Sequence, residues 1–342
     1  MKILVTGFSR AACTRNFHKT SQIGLCTAHF SFVECLESMG HEVDQRPVEI
    51  GEDLSVYDKV VVFLMHISPY NTYMYSALWA ISQREDALFA IEDWQSPKNI
   101  NTWKKDVDKI LDSITNDYYV NNVVKEKTIK PEWRDLFKTA LTRISQEDTN
   151  IILPAHLGGD FKMLFSDWNP DKVHSWFPPP FTLHRKPRTT LFDEGKEKIF
   201  NFAGLIQSET ERWFKKVTDG ATWEIKQYGS KNKKQVRLSE EDMVTTFSEQ
   251  WGILMAGYWH AGSGWWRARP QQVADCDSIL ICDDKEGSVF GKPYEGLTCR
   301  MLEGMTEGQL EGLANEQKIA YYDSQPMKKE ITIKQIEDYI NG

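Results

Sequence analysis

The chain of 342 residues has little that would place it in a membrane or cross-link it. No apolar run approaches the ~20 residues that a membrane-spanning helix needs, and Met1-Lys2-Ile3 leads into a strand pattern rather than a signal peptide. The six cysteines form no C-x-x-C pair and no regular framework, which is typical of reduced intracellular thiols. We therefore expect a cytoplasmic protein without membrane contact.

Several signatures of nucleotide and metal binding are also missing. No G-x-G-x-x-G follows a strand pattern, which disfavours a nicotinamide or flavin dehydrogenase, and no P-loop with Gly-Lys-Ser/Thr occurs. The eight histidines show no H-E-x-x-H or other ligand spacing, so the sequence predicts no protein-built metal site. A net charge of −8 argues against nucleic acid binding over the whole surface, but it is compatible with a local basic patch.

What the chain does contain is two series of alternating strand and helix patterns. Apolar strands at residues 3–6, 59–65 and 87–91 alternate with helical patterns, and a second series begins at residue 198. Such repetition predicts parallel sheets covered by helices. Three consecutive prolines at residues 178–180 predict a linker between the series. We therefore predict an α/β protein of two doubly wound, Rossmann-like domains, for which the chain is long enough.

The most informative segment follows the third strand pattern of the second series. It holds a glycine-bearing loop at residues 261–264, then Arg267 and Arg269, a short helix pattern and an apolar strand that ends in Asp283. A loop that leads into a helix N-terminus offers backbone N–H groups to an anion, and arginines add charge-assisted hydrogen bonds. The segment therefore predicts a diphosphate site, with a surface ion pair as the alternative for each arginine.

Dispersed segments over nearly the whole chain resemble the bacteriophage DNA β-glucosyltransferases, which have the GT-B glycosyltransferase architecture. The best segment spans residues 269–283, and others lie at residues 38–44, 88–93, 223–229 and 251–257. Each segment is weak alone, and their order and spacing together carry the resemblance.

This resemblance implies two domains that face one another across a cleft. Residues 1–178 would form an N-terminal acceptor domain that binds DNA, and residues 179–320 would form the domain that binds the nucleotide sugar. A helical tail at residues 321–342 would pack back on the first domain. Ligands of such sheets bind outside the carboxyl ends of the strands, so the loops at those ends are the candidate sites.

The resemblance also implies an enzyme that moves a sugar, by default glucose from UDP-glucose, onto a hydroxymethyl-pyrimidine base in double-stranded DNA, with inversion. Asp93, at the end of a strand, matches the catalytic aspartate of the family and would act as general base. Ala28 stands where the family has a second carboxylate, and the adjacent His29 is the candidate substitute, with a core histidine as the alternative. A Mg or Mn ion bound through the diphosphate of the UDP-sugar is compatible with this scheme.

The remaining candidate contacts fall into two groups. Donor binding is assigned to Arg269, Arg267, Gln272, Gly264, Ser263, Arg212 and Gly204. Gln272 replaces the acidic residue with which the family grips the ribose, and its amide oxygen can still accept a hydrogen bond from a hydroxyl. DNA binding is assigned to Arg10, Arg15, Lys19 and Tyr70. The three basic residues would contact phosphates, and the tyrosine would support a base flipped out of the duplex.

Two alternatives remain open at this point. A GT-B transferase with a non-DNA acceptor would share the donor loops and differ in the first domain. A non-catalytic nucleotide-binding relative is also compatible, because acidic side chains are absent at Ala28 and Gln272. In either case we expect a monomer.

Overall fold

The computed structural model describes fifteen stretches of the chain: residues 1–7, 28–64, 73–91, 105, 107–108, 111, 131–144, 148–155, 159, 168–178, 195–203, 208–228, 240–257, 261–323 and 329–342. Within these stretches, ten strands form two sheets, one of six strands and one of four. None of the helices in these stretches is long and apolar enough to cross a membrane.

The first sheet has the order β2-β1-β3-β4-β5-β6, and all its neighbouring strands are parallel. Its strands are β1 (Lys2–Thr6), β2 (Glu42–Gln45), β3 (Lys59–Leu64), β4 (Leu88–Ile91), β5 (Ile151–Pro154) and β6 (Val173–Trp176). The described helices of this half are α1 (Ala28–Ser38), α2 (Tyr73–Gln83) and α3 (Pro131–Ile144). Every residue of β3 except Lys59 is buried, as expected for a central strand covered on both faces.

The second sheet has the order β10-β9-β7-β8 and is also parallel throughout. Its strands are β7 (Glu197–Ala203), β8 (Glu224–Tyr228), β9 (Gln250–Met255) and β10 (Ile279–Cys282). The accompanying helices are α4 (Ser208–Thr218), α5 (Glu240–Glu249), α6 (Ala268–Asp275), α7 (Asp284–Phe290), α8 (Cys299–Glu303), α9 (Glu307–Asp323) and α10 (Lys329–Asn341). The edge strand β10 is protected by Gln317 of α9, whose amide accepts from Leu280 N–H (2.8 Å) and donates to Leu280 O (3.0 Å).

A single apolar cluster joins the two sheets. It contains Ile3 and Val5 of β1 together with Ile253 and Met255 of β9, so one face of each sheet contributes to the same core. Aromatic residues from both halves and from the tail complete this cluster: Phe32, Phe63, Trp176, Phe177, Phe247, Trp266, Phe290, Tyr294, Tyr321 and Tyr339. The opposite face of each sheet is covered by a cluster of its own.

The last helix, α10, returns to the first half. It contacts α1 and β6, and the Tyr339 hydroxyl accepts from Phe89 N–H (3.1 Å) and donates to Phe89 O (2.7 Å). Thr332 of the same helix donates to Phe177 O at 3.1 Å. The fold expected from the sequence, two doubly wound domains with a C-terminal helix packed on the first, is confirmed.

The strand β6 is an element that the sequence pattern does not reveal. It reads VHSW, with only its two ends buried, so neither an apolar run nor an alternation marks it. Trp176 ends this strand, and Phe177 is 2% exposed in the shared core. The connection between the halves therefore begins no earlier than Pro178, and the other two prolines of the expected linker, at residues 179 and 180, lie outside the described residues.

Candidate functional site

The topology of the second sheet places a crevice at the carboxyl ends of β7 and β9. The chain runs from β7 to β8 on one side and then crosses to β9 on the other side. Loops on either side of such a switch point diverge, and ligands bind between them. Gly204 follows β7 and lies outside the described residues, whereas the loop after β9 is described from Ala261 onward.

Two glycines give this loop its shape. Gly262 and Gly264 have φ values of 84° and 78°, in the left-handed region that glycine adopts at little cost. A Cβ at Gly262 would lie 3.0 Å from the Lys285 carbonyl oxygen, so the loop rests directly on α7. Between them, Ser263 is fully buried, and its hydroxyl oxygen accepts from Trp265 N–H at 3.3 Å. The Gly264 and Ser263 predicted for donor binding are therefore part of a tightly packed backbone turn.

The same loop joins the second half to the first. Trp266 N–H donates to Pro154 O at the end of β5 (3.2 Å), and Ala155 pairs with Trp265 in an antiparallel bridge. Gly264 also packs on residue 159, where a Cβ would stand 1.9 Å from the Gly264 Cα. The contacts of the first half follow β5 and those of the second half lie in the loop after β9, so this junction lies on the carboxyl side of both sheets.

The N-terminus of α6 comes immediately after the junction. Arg267 is its N-cap in extended conformation, with no side-chain capping bond, so the N–H groups of Ala268 and Arg269 have no partner within the helix. Pro270 has no N–H to add. Two backbone donors and the half-buried Arg269, whose Nε is buried, therefore stand together at the position predicted for a diphosphate.

Arg267 is directed partly inward. Its Nη1 lies 3.4 Å from Ala256 O, to which it donates, and its charge acts on the carboxyl of Glu286. Glu286 is 4% exposed, and it also accepts from Gly262 N–H. Burial raises the pKa of Glu286, while Arg267 and the Gly262 N–H act in the opposite direction. Sequence reasoning missed Glu286, because an acid within Lys285-Glu286-Gly287 resembles a solvated surface position.

The other predicted donor residues lie on helices beside the crevice. Gln272 is 5% exposed in the second turn of α6. Arg212 is exposed in α4, the helix that follows β7 and therefore begins at the carboxyl edge. The structure thus groups Ser263, Gly264, Arg267, Arg269 and Gln272 around one loop and helix start, with Arg212 on the far side of the switch point.

The acceptor side has the same topology. In the first sheet β2 and β3 flank β1 on opposite sides, so the switch point lies between β1 and β3. Gly7 follows β1 with φ 100°, and a Cβ there would lie 2.1 Å from Phe63 O. His29 is 1% exposed, with its ring centroid 4.1 Å from that of Phe30 and 6.0 Å from that of Phe63. It therefore sits in the aromatic core beside this switch point.

Six predicted site residues lie outside the described residues: Asp93, Gly204, Arg10, Arg15, Lys19 and Tyr70. Their places in the chain connect them to described strands. Asp93 comes two residues after β4, and β4 lies between β3 and β5 in the sheet. The three basic residues follow β1, and Tyr70 follows β3.

Within the described stretches, no group of three or more His, Cys, Asp or Glu side chains is arranged to hold a metal ion. The two acids at the start of α7 have structural partners. Asp283 caps α7 by accepting from Lys285 N–H (3.0 Å), and Asp284 accepts from Gly296 N–H (3.1 Å).

Comparison with known proteins finds similarity in structure alone. No family model matches the chain, and no curated protein matches its sequence. The structure is similar to the T4 phage β-glucosyltransferase studied for substrate binding and catalytic mechanism, with a TM-score of 0.56, 11% identity and full coverage of both chains. It is also similar to the T4 phage enzyme in complex with UDP and Mn²⁺, with a TM-score of 0.51, 12% identity and coverage of 100% of this chain and 95% of that one.

A third similar structure is an α-glucosyltransferase in complex with UDP and a 13-mer DNA that contains an HMU base. Its TM-score is 0.50 at 14% identity, and the match covers 100% of this chain and 99% of that one. Identities this low establish a shared fold and nothing finer. At that level, the resemblance expected from the sequence is confirmed over the entire chain.

Proposed function

We propose that the protein is a nucleotide-sugar-dependent glycosyltransferase that modifies a base in DNA. One observation carries the proposal: the glycine loop and the start of α6, both suited to a diphosphate, lie where the carboxyl edges of the two sheets meet. The fold shared with the T4 phage β-glucosyltransferase supports it. The first domain, up to residue 178, would take the acceptor, and the second would take the donor.

In this proposal the donor is a UDP-sugar, by default UDP-glucose. Its diphosphate binds the N–H groups of Ala268 and Arg269 and the Arg269 guanidinium, whose charges stabilise the leaving UDP. Gln272, in the next turn, accepts from a ribose hydroxyl. Arg212 and Gly204 close the crevice from the β7 side. A Mg or Mn ion would be held through the phosphates, as the T4 phage enzyme with UDP and Mn²⁺ suggests.

The acceptor is a hydroxymethyl-pyrimidine in double-stranded DNA. Asp93 takes the proton of the hydroxymethyl group while that oxygen bonds to the anomeric carbon and the bond from this carbon to the diphosphate breaks, which inverts the configuration. The target base leaves the duplex to reach the cleft, beside Tyr70. Arg10, Arg15 and Lys19 contact phosphates of the DNA, and His29 orients groups from the core behind this site.

The proposal is tested by a donor and acceptor screen. Purified protein is incubated with UDP- or GDP-sugars and with plain or hydroxymethylated duplex DNA, and the digested nucleosides are analysed by mass spectrometry. The expected result is a hexose added to the hydroxymethylated nucleoside from one UDP-sugar only, with a β linkage by glycosidase digestion. Transfer to a small molecule, protein or glycan but not to DNA would overturn the acceptor, and UDP binding without any transfer would indicate a non-catalytic relative.

A further inference from the structure

A buried carboxyl group lies under the donor loop. Glu286 is 4% exposed, although α7 is a short helix on which the neighbouring Lys285 and Ser288 are exposed. Burying a carboxyl costs free energy unless it is hydrogen-bonded or paired with a cation. Two groups of the donor loop offset this cost, because a hydrogen bond from Gly262 N–H and the positive charge of Arg267 nearby both favour the ionised carboxyl.

Through these two interactions the Glu286 carboxyl acts on both ends of the loop. Gly262 lies near its start and rests on the Lys285 carbonyl, where a Cβ would approach to 3.0 Å. Arg267 lies at its end, as the N-cap of α6, and donates to Ala256 O just after β9. On the opposite side, Gly264 packs against the backbone at residue 159 of the first half. The loop therefore packs on α7 through Gly262 and on the first half of the chain through Gly264.

We propose that Glu286 is a positioning residue for the diphosphate: by fixing Gly262 and Arg267 it sets the direction in which the N-terminus of α6 faces the donor. This inference rests on the proposed function and refines it. Arg267 then acts on the diphosphate through the shape of the loop, whereas Arg269 and the first N–H groups of α6 make the contact. Glu286 itself touches no substrate.

The second sheet offers a matched control in Glu303. Its carboxylate also accepts from backbone N–H groups, those of Thr222 (2.6 Å) and Trp223 (2.7 Å), but it does so before β8, at the amino edge of the sheet. Substitution of Glu303 therefore removes a similar structural interaction from the same domain without touching the donor loop.

The experiment compares Glu286→Gln and Glu286→Ala with Glu303→Gln and Glu303→Ala in the full chain. Calorimetry measures the affinities for UDP and for uridine, and hydrogen exchange of the ligand-free protein follows the peptide that covers residues 261–267. The amide of Glu286→Gln retains an acceptor for Gly262 N–H but no charge, so we expect UDP to bind about 3-fold more weakly. Glu286→Ala removes both, and we expect a loss of about 30-fold, in the range of one charged hydrogen bond.

For both Glu286 variants uridine affinity stays within about twofold of wild type, because only the diphosphate faces the loop. Hydrogen exchange of the loop peptide becomes faster in Glu286→Ala. Both Glu303 variants lower the melting temperature, but they leave UDP affinity and hydrogen exchange of the loop unchanged. Unchanged loop exchange in Glu286→Ala, or equal losses of UDP and uridine, would overturn the positioning role. A wild-type chain that binds no nucleoside diphosphate would instead overturn the proposed function, whatever the exchange of the loop.

Discussion

The two edges of the second sheet use polar groups for different purposes. At the amino edge, Lys196 donates to Cys276 O (2.6 Å) and Ser278 Oγ (2.7 Å), and Glu303 binds two backbone N–H groups before β8. At the carboxyl edge, Gly262 and Gly264 shape the loop with left-handed backbone, and the first N–H groups of α6 have no partner inside their helix. Internal pairs at one edge stabilise the fold, whereas donors at the other edge suit an anionic ligand.

The largest expected effect belongs to Asp93, at the carboxyl edge of the other sheet. Asp93→Asn removes the proposed base and should lower turnover about 10³-fold, a typical contribution of general base catalysis, without weakening UDP binding. The control is Asp86→Asn, since Asp86 lies before the amino end of the same strand and pairs with Arg84 at 2.8 Å. Full turnover in Asp93→Asn, measured as hexose transfer to DNA, would remove Asp93 from the mechanism.

The next effect concerns the junction between the halves. Gly264→Ala should lower the free energy of unfolding by about 2–5 kcal/mol, because a non-glycine residue is strained in the left-handed region and the new methyl overpacks the contact. Its Cβ would lie 2.4 Å from the Gly159 Cα. In contrast, a Cβ at Gly308 in α9 meets nothing within 4 Å, so Gly308→Ala should be neutral or stabilising in urea unfolding. Equal stabilities of the two variants would show that the junction is not tightly packed in solution.

Substitution of Arg269 tests directly whether the diphosphate binds at the carboxyl edge of the second sheet. Arg269→Ala should weaken UDP binding about 10- to 100-fold, as expected for a lost charge-assisted hydrogen bond, and leave uridine binding unchanged. Arg300→Ala, in the exposed part of α8, is the control of equal charge in the same domain. If both variants bind UDP equally well in calorimetry, the diphosphate does not lie at the start of α6.

A smaller effect is expected at the amino edge, where Lys196 makes the stability of the protein depend on pH. Burial lowers the pKa of Lys196 from 10.5 to about 8, so between these values the unfolded chain binds more protons than the folded one. As the pH rises from 8 to 10.5, the free energy of unfolding of wild type relative to Lys196→Met should therefore increase by about 1–3 kcal/mol in total. This gain should be lost when the pH returns to 8. Chemical denaturation at several pH values measures this difference, and a constant difference would contradict the burial of the ammonium group.

The sequence predicts the regular parts of this molecule well. Apolar runs identify β3, β4 and β9, because strands buried on both faces are composed mainly of apolar residues. The start of α6 is predicted close to its true place, but the helix begins at Ala268, between Arg267 and Arg269, rather than after both arginines. The edge strand β6 cannot be recognised from its polar sequence. The helices α7 and α8 have too few residues to show the periodic spacing of apolar side chains that marks a helix.

The candidate site was predictable only in part, for a physical reason. The loop at residues 261–264 and Arg269 can be recognised because glycine and arginine next to a helix start indicate an anion-binding site from the local sequence alone. The contact of Gly264 with residue 159 joins segments about a hundred positions apart, and Glu286 is buried on a short helix whose sequence resembles a solvated surface. Neither feature has a period or motif, so only the folded chain reveals them.

The most direct test of the central claim is a crystal structure of the protein with UDP. The account predicts the diphosphate within hydrogen-bonding distance of the N–H groups of Ala268 and Arg269 and of the Arg269 guanidinium, in the crevice between the carboxyl edges of the two sheets. UDP bound at the amino edge near Lys196, or on an outer face of the second sheet, would contradict it.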